Sequence, residues 1–187
     1  NRFLDAFRGF LATVETDLDL ERLAALLGRV VNACLNAPEP PGAWATQNSH
    51  KLMPAEDASA LAKIDQLLDD LNAFRDDAHL AAFAPNEIKG HGWEMFSKLG
   101  RAEVTNAADM AEKMDFRGYD AADYAAALDD LVARDWVEAD GDKFVLTPVG
   151  EEIREAAEVQ TDRYFYLPWH ALNLAETNEL RTLLTDL

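Results

Sequence analysis

One cysteine among 187 residues rules out an internal disulfide and fits a reducing compartment. It is Cys34, on an apolar helical face with Leu27, Val30 and Val31, where a small core residue belongs. Positive charge is scarce as well: 17 Lys and Arg against 35 Asp and Glu give a net charge of −18. The shortage is even, with −6 over residues 1–85, −7 over 86–150 and −5 over 151–187. Such a field repels phosphates and favours solubility. It also weakens non-specific hold on nucleic acid, which comes from Lys and Arg displacing counterions. No run approaches the ~20 uninterrupted apolar residues of a membrane-spanning helix, so no membrane partner is expected. The opening stretch Asn1 to Val14 is broken by Arg2, Asp5 and Arg8 and reads as an amphipathic helix, not a signal peptide. A cytoplasmic location follows as the expectation. The four histidines, His50, His79, His91 and His170, show no metal-ligand spacing. Asp76-Asp77-Ala78-His79 reads as solvated surface, and Lys89-Gly90-His91-Gly92 follows no strand, so it is no phosphate loop. No Ser/His/Asp or Cys/His set is present. The expectation is therefore no catalytic residue, no metal and no cofactor.

What is present is helical periodicity with clear punctuation. Phe3, Phe7, Phe10, Leu11 and Val14 recur at helical spacing. Asp19 caps a helix whose inner face is Leu20, Leu23, Leu27, Val30, Val31 and Cys34. The Pro- and Gly-rich stretch from Pro38 to about Met53 reads as the longest loop and holds Trp44. Pro54 suits the first turn of a third helix with Leu61, Ile64, Leu68 and Leu71 inward, followed by a short segment at 76–83. After Pro85 the pattern predicts a helix from an Asn86 cap to Leu99, then a short one capped by Thr105. A turn over 115–119 leads to a helix capped by Asp120, with Tyr124, Leu128, Leu131 and Val132 buried. Two β-like runs, 136–138 and 143–146, flank an Asp-Gly hairpin signal. Thr147 then caps a helix with Pro148 at its first position, Pro168 breaks it, and 172–187 is helical again. This order predicts a mainly α fold, a winged helix-turn-helix with a two-stranded β wing plus N- and C-terminal helices. The expected division is an N-terminal helical region (1–85), the winged module (86–150) and C-terminal helices for dimerisation (151–187).

Particular motifs carry a family resemblance. The run Leu128 to Glu138, with Arg134-Asp135-Trp136-Val137-Glu138 at its end, resembles a recognition helix entering the wing of MarR-like regulators. Leu146-Thr147-Pro148-Val149-Gly150 resembles the Leu-Thr-x-x-Gly that leaves such a wing. Glu158, Thr161-Asp162, Tyr164-Phe165 and Pro168-Trp169 resemble the signature of an actinobacterial-type branch of helix-turn-helix proteins. The resemblance covers residues 86–187, with Asp135 where Gly is usual. It implies a homodimeric transcriptional regulator that sets two recognition helices in successive major grooves and can respond to a small ligand.

Charge gives a second reading. The outward face of the Asp120-capped helix offers Ala122, Asp123, Ala126, Asp129, Asp130 and Ala133, and the wing tip offers Asp140 and Asp142. A base-reading helix needs donors, usually Arg, Lys, Asn or Gln. The candidate DNA contacts are Arg101, Lys113, Arg117, Arg134 and Lys143; DNA is a partner that the acidic helix disfavours. The alternative is an acidic winged-helix module that binds a protein or small molecule and not DNA. Candidate ligand-pocket residues are Trp44, Trp93, Tyr164, Tyr166 and Trp169. A homodimer is expected from two apolar stripes, Phe3, Phe7 and Phe10, and Leu172, Leu180, Leu183, Leu184 and Leu187.

Overall fold

A computed structural model describes residues 2–187. Helices, short 3-10 turns included, take up 70% of the chain, and the described residues hold nine α-helices and one two-stranded antiparallel sheet. The mainly α fold with a single wing is thus observed. The chain forms two compact units: the residues up to Ala81 together with Thr161–Leu187, and Ala82–Gln160.

In the first unit, α1 (Arg2–Leu11) has no buried residue. α2 (Leu20–Leu35) starts where Asp19 accepts the Arg22 N–H at 2.9 Å, and buries Leu23, Leu26, Leu27, Val30, Val31 and Cys34. This stripe meets Ile64, Leu67, Leu71 and Phe74 of α4 (Ala60–Phe83) and Leu172 and Leu180, the latter on α9 (Leu174–Asp186). Burial raises the Cys34 thiol to a pKa of about 12, which leaves it an unreactive core residue.

Several expectations need correction here. The stretch around Trp44 is not all loop: α3 spans Trp44–His50. Its first turn is capped from a distance by Asp77, which accepts from the Ala45 and Thr46 N–H groups (2.8 and 3.0 Å) and the Thr46 hydroxyl (2.7 Å). Its last turn is held by fully buried Asp70, which lies 2.6 Å from both the Ser49 hydroxyl and His50 Nδ1. Pro54 is not in a first turn, since α4 begins at Ala60 and runs unbroken to Phe83, absorbing the short segment expected at 76–83. Leu68 points outward.

The second unit contains the winged module. α5 spans Gly90–Gly100 with Lys89 at its N-cap, and Asn86 instead closes a 3-10 turn, Ala84–Asn86. α6 (Ala107–Lys113), α7 (Ala121–Ala133), β1 (Val137–Asp140), β2 (Lys143–Leu146) and α8 (Pro148–Tyr166) follow. Trp93, Met95, Phe96, Met110, Tyr124, Leu128, Leu131 and Trp136 make its core. The hairpin pairs Asp140 with Lys143, so Gly141 and Asp142 form the two-residue loop, and Gly141 takes the positive φ (+62°) at its first position. At the far end of the wing, Asp135 sits at φ +60°, a left-handed conformation that favours Gly. Thr147 locks this corner: its N–H donates to the Trp136 carbonyl (3.0 Å), its hydroxyl donates to the Asp135 carbonyl (2.6 Å), and it accepts the Gly150 N–H (3.0 Å). Gly150 is needed because a Cβ there would lie 2.0 Å from the Trp136 carbonyl oxygen. The Leu-Thr-x-x-Gly motif is therefore a packing device that fastens α8 to the wing.

Candidate recognition interface

α6, the turn after it and α7 are built by local polar contacts. Asn106, one residue beyond the expected Thr105, caps α6 by accepting the Asp109 N–H at 3.0 Å. A 3-10 turn, Asp115–Arg117, ends at Gly118 with φ +75°. Asp120 then accepts from Ala122 and Asp123 N–H groups, while the Asp123 carboxylate accepts the Asp120 N–H at 3.0 Å, a reciprocal cap. The turn is fastened to α5 by Arg117–Glu94 (3.1 Å) and by the His91 ring against Tyr119, centroids 4.4 Å apart.

α7 buries Tyr124, Ala127, Leu128 and Leu131. Val132, expected inside, is 44% exposed. Burial raises the Tyr124 phenol above its ordinary pKa, with the Glu94 carboxylate adding to the shift. The uncovered face of α7 carries Ala122, Asp123, Ala125, Ala126, Asp129, Asp130, Val132 and Ala133, and Phe116 before it is 71% exposed.

Four of the five candidate DNA-contacting cations already have acceptors within the unit. Arg101 Nε lies 2.6 Å from Glu103, which also takes Lys98 at 2.9 Å. Those two bonds hold the Glu103 carboxyl down at a pKa of about 2. Lys113 donates to the Glu103 carbonyl (2.8 Å). Arg117 pairs with Glu94 and lies over the Phe116 ring. Arg134 donates to Asp130 (2.9 Å) and to the Asn86 and Glu87 carbonyls (2.9 and 3.2 Å), with its guanidinium over Trp136. Among the described residues of this unit, Lys143 on the wing and Lys89 before α5 carry no such partner. Arg134–Asp130, at i,i+4, and Arg101–Glu103 are close in sequence, whereas Arg117–Glu94 and the bonds of Lys113 and Arg134 to backbone carbonyls join segments that the sequence does not place together.

The pocket candidates fall in different places. Trp93 is buried in the core of the second unit, stacked on Phe83 at 4.8 Å. Trp44 begins α3 and is 75% exposed. Tyr166 and Trp169 lie 6.0 Å apart, each beside Phe165, and the buried Trp169 indole N–H has no acceptor. Tyr164 is half-buried on α8. In the first unit, Thr161 lies 3.1 Å from His79 and Asp162 lies 3.5 Å from Arg75, so the Thr-Asp pair of the signature ties α8 to α4. Among the described residues, no cluster of three His, Cys, Asp or Glu side chains could hold a metal ion, and no helix is long and apolar enough to cross a membrane.

Residues 2–187 as a whole match a helix-turn-helix family. The chain belongs to that family. The match takes in the N-terminal helices, which resemble nothing on sequence inspection, so α1 to α4 are part of this helix-turn-helix protein's own architecture. No curated protein and no solved structure matches it.

Proposed function

We propose that this helix-turn-helix protein is a MarR-like transcriptional regulator that works as a homodimer on duplex DNA. The observation that carries the reading is the uncovered face of α7, reached by a capped turn and followed by a two-stranded wing. That is the kind of element helix-turn-helix proteins set in a major groove. Dimerisation is supported by α1, where Phe3 is 77% and Phe10 61% exposed and no side chain is buried. Leu172 and Leu180 do not add to that surface, since both are buried within their own unit. The Phe165, Tyr166 and Trp169 cluster supports a small-ligand site, because the Trp169 N–H lacks an acceptor.

The cation pairings bound the strength of DNA binding. With Lys89 and Lys143 as the free cations, about two phosphates are neutralised per protomer, so log K should fall with log salt at a slope of roughly −2 per protomer. A fluorescence-anisotropy titration of genomic duplexes over a range of salt measures it. Saturable binding with a shallow slope supports the reading; no binding even at low salt contradicts it. A second reading, an acidic module that binds a protein, is favoured by Asp123, Asp129 and Asp130 on the face that would meet the phosphates.

A further inference from the structure

We infer that the outward face of α7, with the cleft beside it, docks a basic amphipathic helix of another protein. The inference rests on α7 being the recognition surface and adds a protein partner that competes there with a weakly held duplex. Two independent features support it. The first is charge. Asp129 is exposed and engages no cation, Asp123 has spent one oxygen on its own helix start, and the only base at the end of α7, Arg134, is consumed by Asp130 and two carbonyls. A duplex would bring phosphates against these carboxylates, whereas Arg and Lys side chains would complement them.

The second feature is shape. A cleft of about 370 Å³ opens along the same helix. Its apolar lining comes from Ile88, Gly92, Ala126 and Ala127. Its polar lining is of mixed sign, Glu87 and Asp130 beside Lys89, His91 and Arg134, so the acidic charge that would meet a basic partner comes from the adjacent face of α7 rather than from the cleft. It is preformed, because Arg134 holds the Asn86 and Glu87 carbonyls and so fixes the loop that makes one wall. The rim pair Asp130–Arg134 neutralises itself, so the cleft suits an apolar anchor and the adjacent face suits the charges flanking that anchor. Ala122, Ala125 and Ala126 leave room for a helix backbone to approach closely, as in helix-in-groove recognition. A free small molecule would fill the cleft but leave Asp123 and Asp129 unanswered.

The test uses the full chain and a labelled alanine-based helical peptide with Arg at four-residue spacing and one central Leu, read by fluorescence anisotropy at physiological salt. Asp129→Asn/Asp130→Asn removes the charge, and Ala126→Phe, at an exposed position, fills the cleft. Each should weaken the peptide at least tenfold, and replacing the peptide's Leu by Ala should cost wild type far more than it costs Ala126→Phe. Glu152→Gln/Glu155→Gln, exposed acids on α8, should change binding less than twofold. Equal weakening by the α8 pair would show a diffuse field and overturn the inference, as would a peptide that does not bind. Duplex bound more tightly than peptide by the wild type would overturn it too, while leaving the regulator reading standing; binding of neither would end both.

Discussion

Replacing Gly150 by Ala probes the joint that holds the wing. The added methyl would lie 2.0 Å from the Trp136 carbonyl oxygen and 2.9 Å from its carbon, both backbone atoms that no rotamer change can move. Alanine gains up to ~1 kcal/mol of helix propensity over glycine. Against that, overpacking costs ~1–3 kcal/mol. The shift it forces also stretches the bonds from Thr147 to the Trp136 and Asp135 carbonyls, each worth about 1 kcal/mol. The losses outweigh the gain, and a net destabilisation of roughly 2–3 kcal/mol is expected. Urea titration followed by tryptophan emission measures it, since Trp93 and Trp136 are both buried in this unit. Gly28→Ala is the control: a Cβ there meets nothing within 4 Å, so it should stabilise by about 0.5–1 kcal/mol. A Gly150→Ala protein as stable as wild type would refute the packing argument.

Glu103→Gln should lower the denaturation midpoint at pH 7. Because the folded carboxyl titrates near 2, below its ordinary 4.5, its contribution is fully present above about pH 4.5 and is lost as pH falls through about 2, so wild type and variant should converge over that window in melts at stepped pH. Asp77→Ala leaves the Ala45 and Thr46 N–H groups and the Thr46 hydroxyl without their acceptor; a loss of roughly 3 kcal/mol and faster hydrogen exchange at the Thr46 amide are expected, and unchanged exchange would show that α3 does not need its distant cap.

The elements that sequence inspection finds are those whose signals are local. The Asp19 and Asp120 caps, the Thr147-Pro148 helix start and the hairpin around Gly141 each lie within a few residues of what they stabilise. α3 was hidden because its seven residues show no apolar period and its ends are held by aspartates on α4, about 20 to 30 residues away. The α5 start differs from the Asn86 cap for a related reason: Asn86 lies in a 3-10 turn and its carbonyl is gripped by Arg134, 48 residues on. Of the recognition surface, the acidic outward face follows from helical spacing alone. The pairing of its cations follows only in part: Asp130–Arg134 has helical spacing, but the hold of Arg134 on the Asn86 and Glu87 carbonyls and of Lys113 on the Glu103 carbonyl does not. The cleft beside α7 was equally invisible, because its walls come from segments more than 30 residues apart.

The most direct test of α7 as the recognition surface, and of its charge as the limit on DNA binding, is a duplex titration with wild type and Asp129→Asn/Asp130→Asn at low salt. The double substitution removes two repulsions from phosphate and frees Arg134 from its 2.9 Å bond to Asp130, while both altered side chains are exposed, so folding should hold. Weak duplex binding by wild type is expected, and binding about tenfold tighter by the variant, the equivalent of ~1.4 kcal/mol. Tight, sequence-selective binding by wild type that disappears in the variant would contradict it, for then the two carboxylates would be reading bases rather than repelling the backbone.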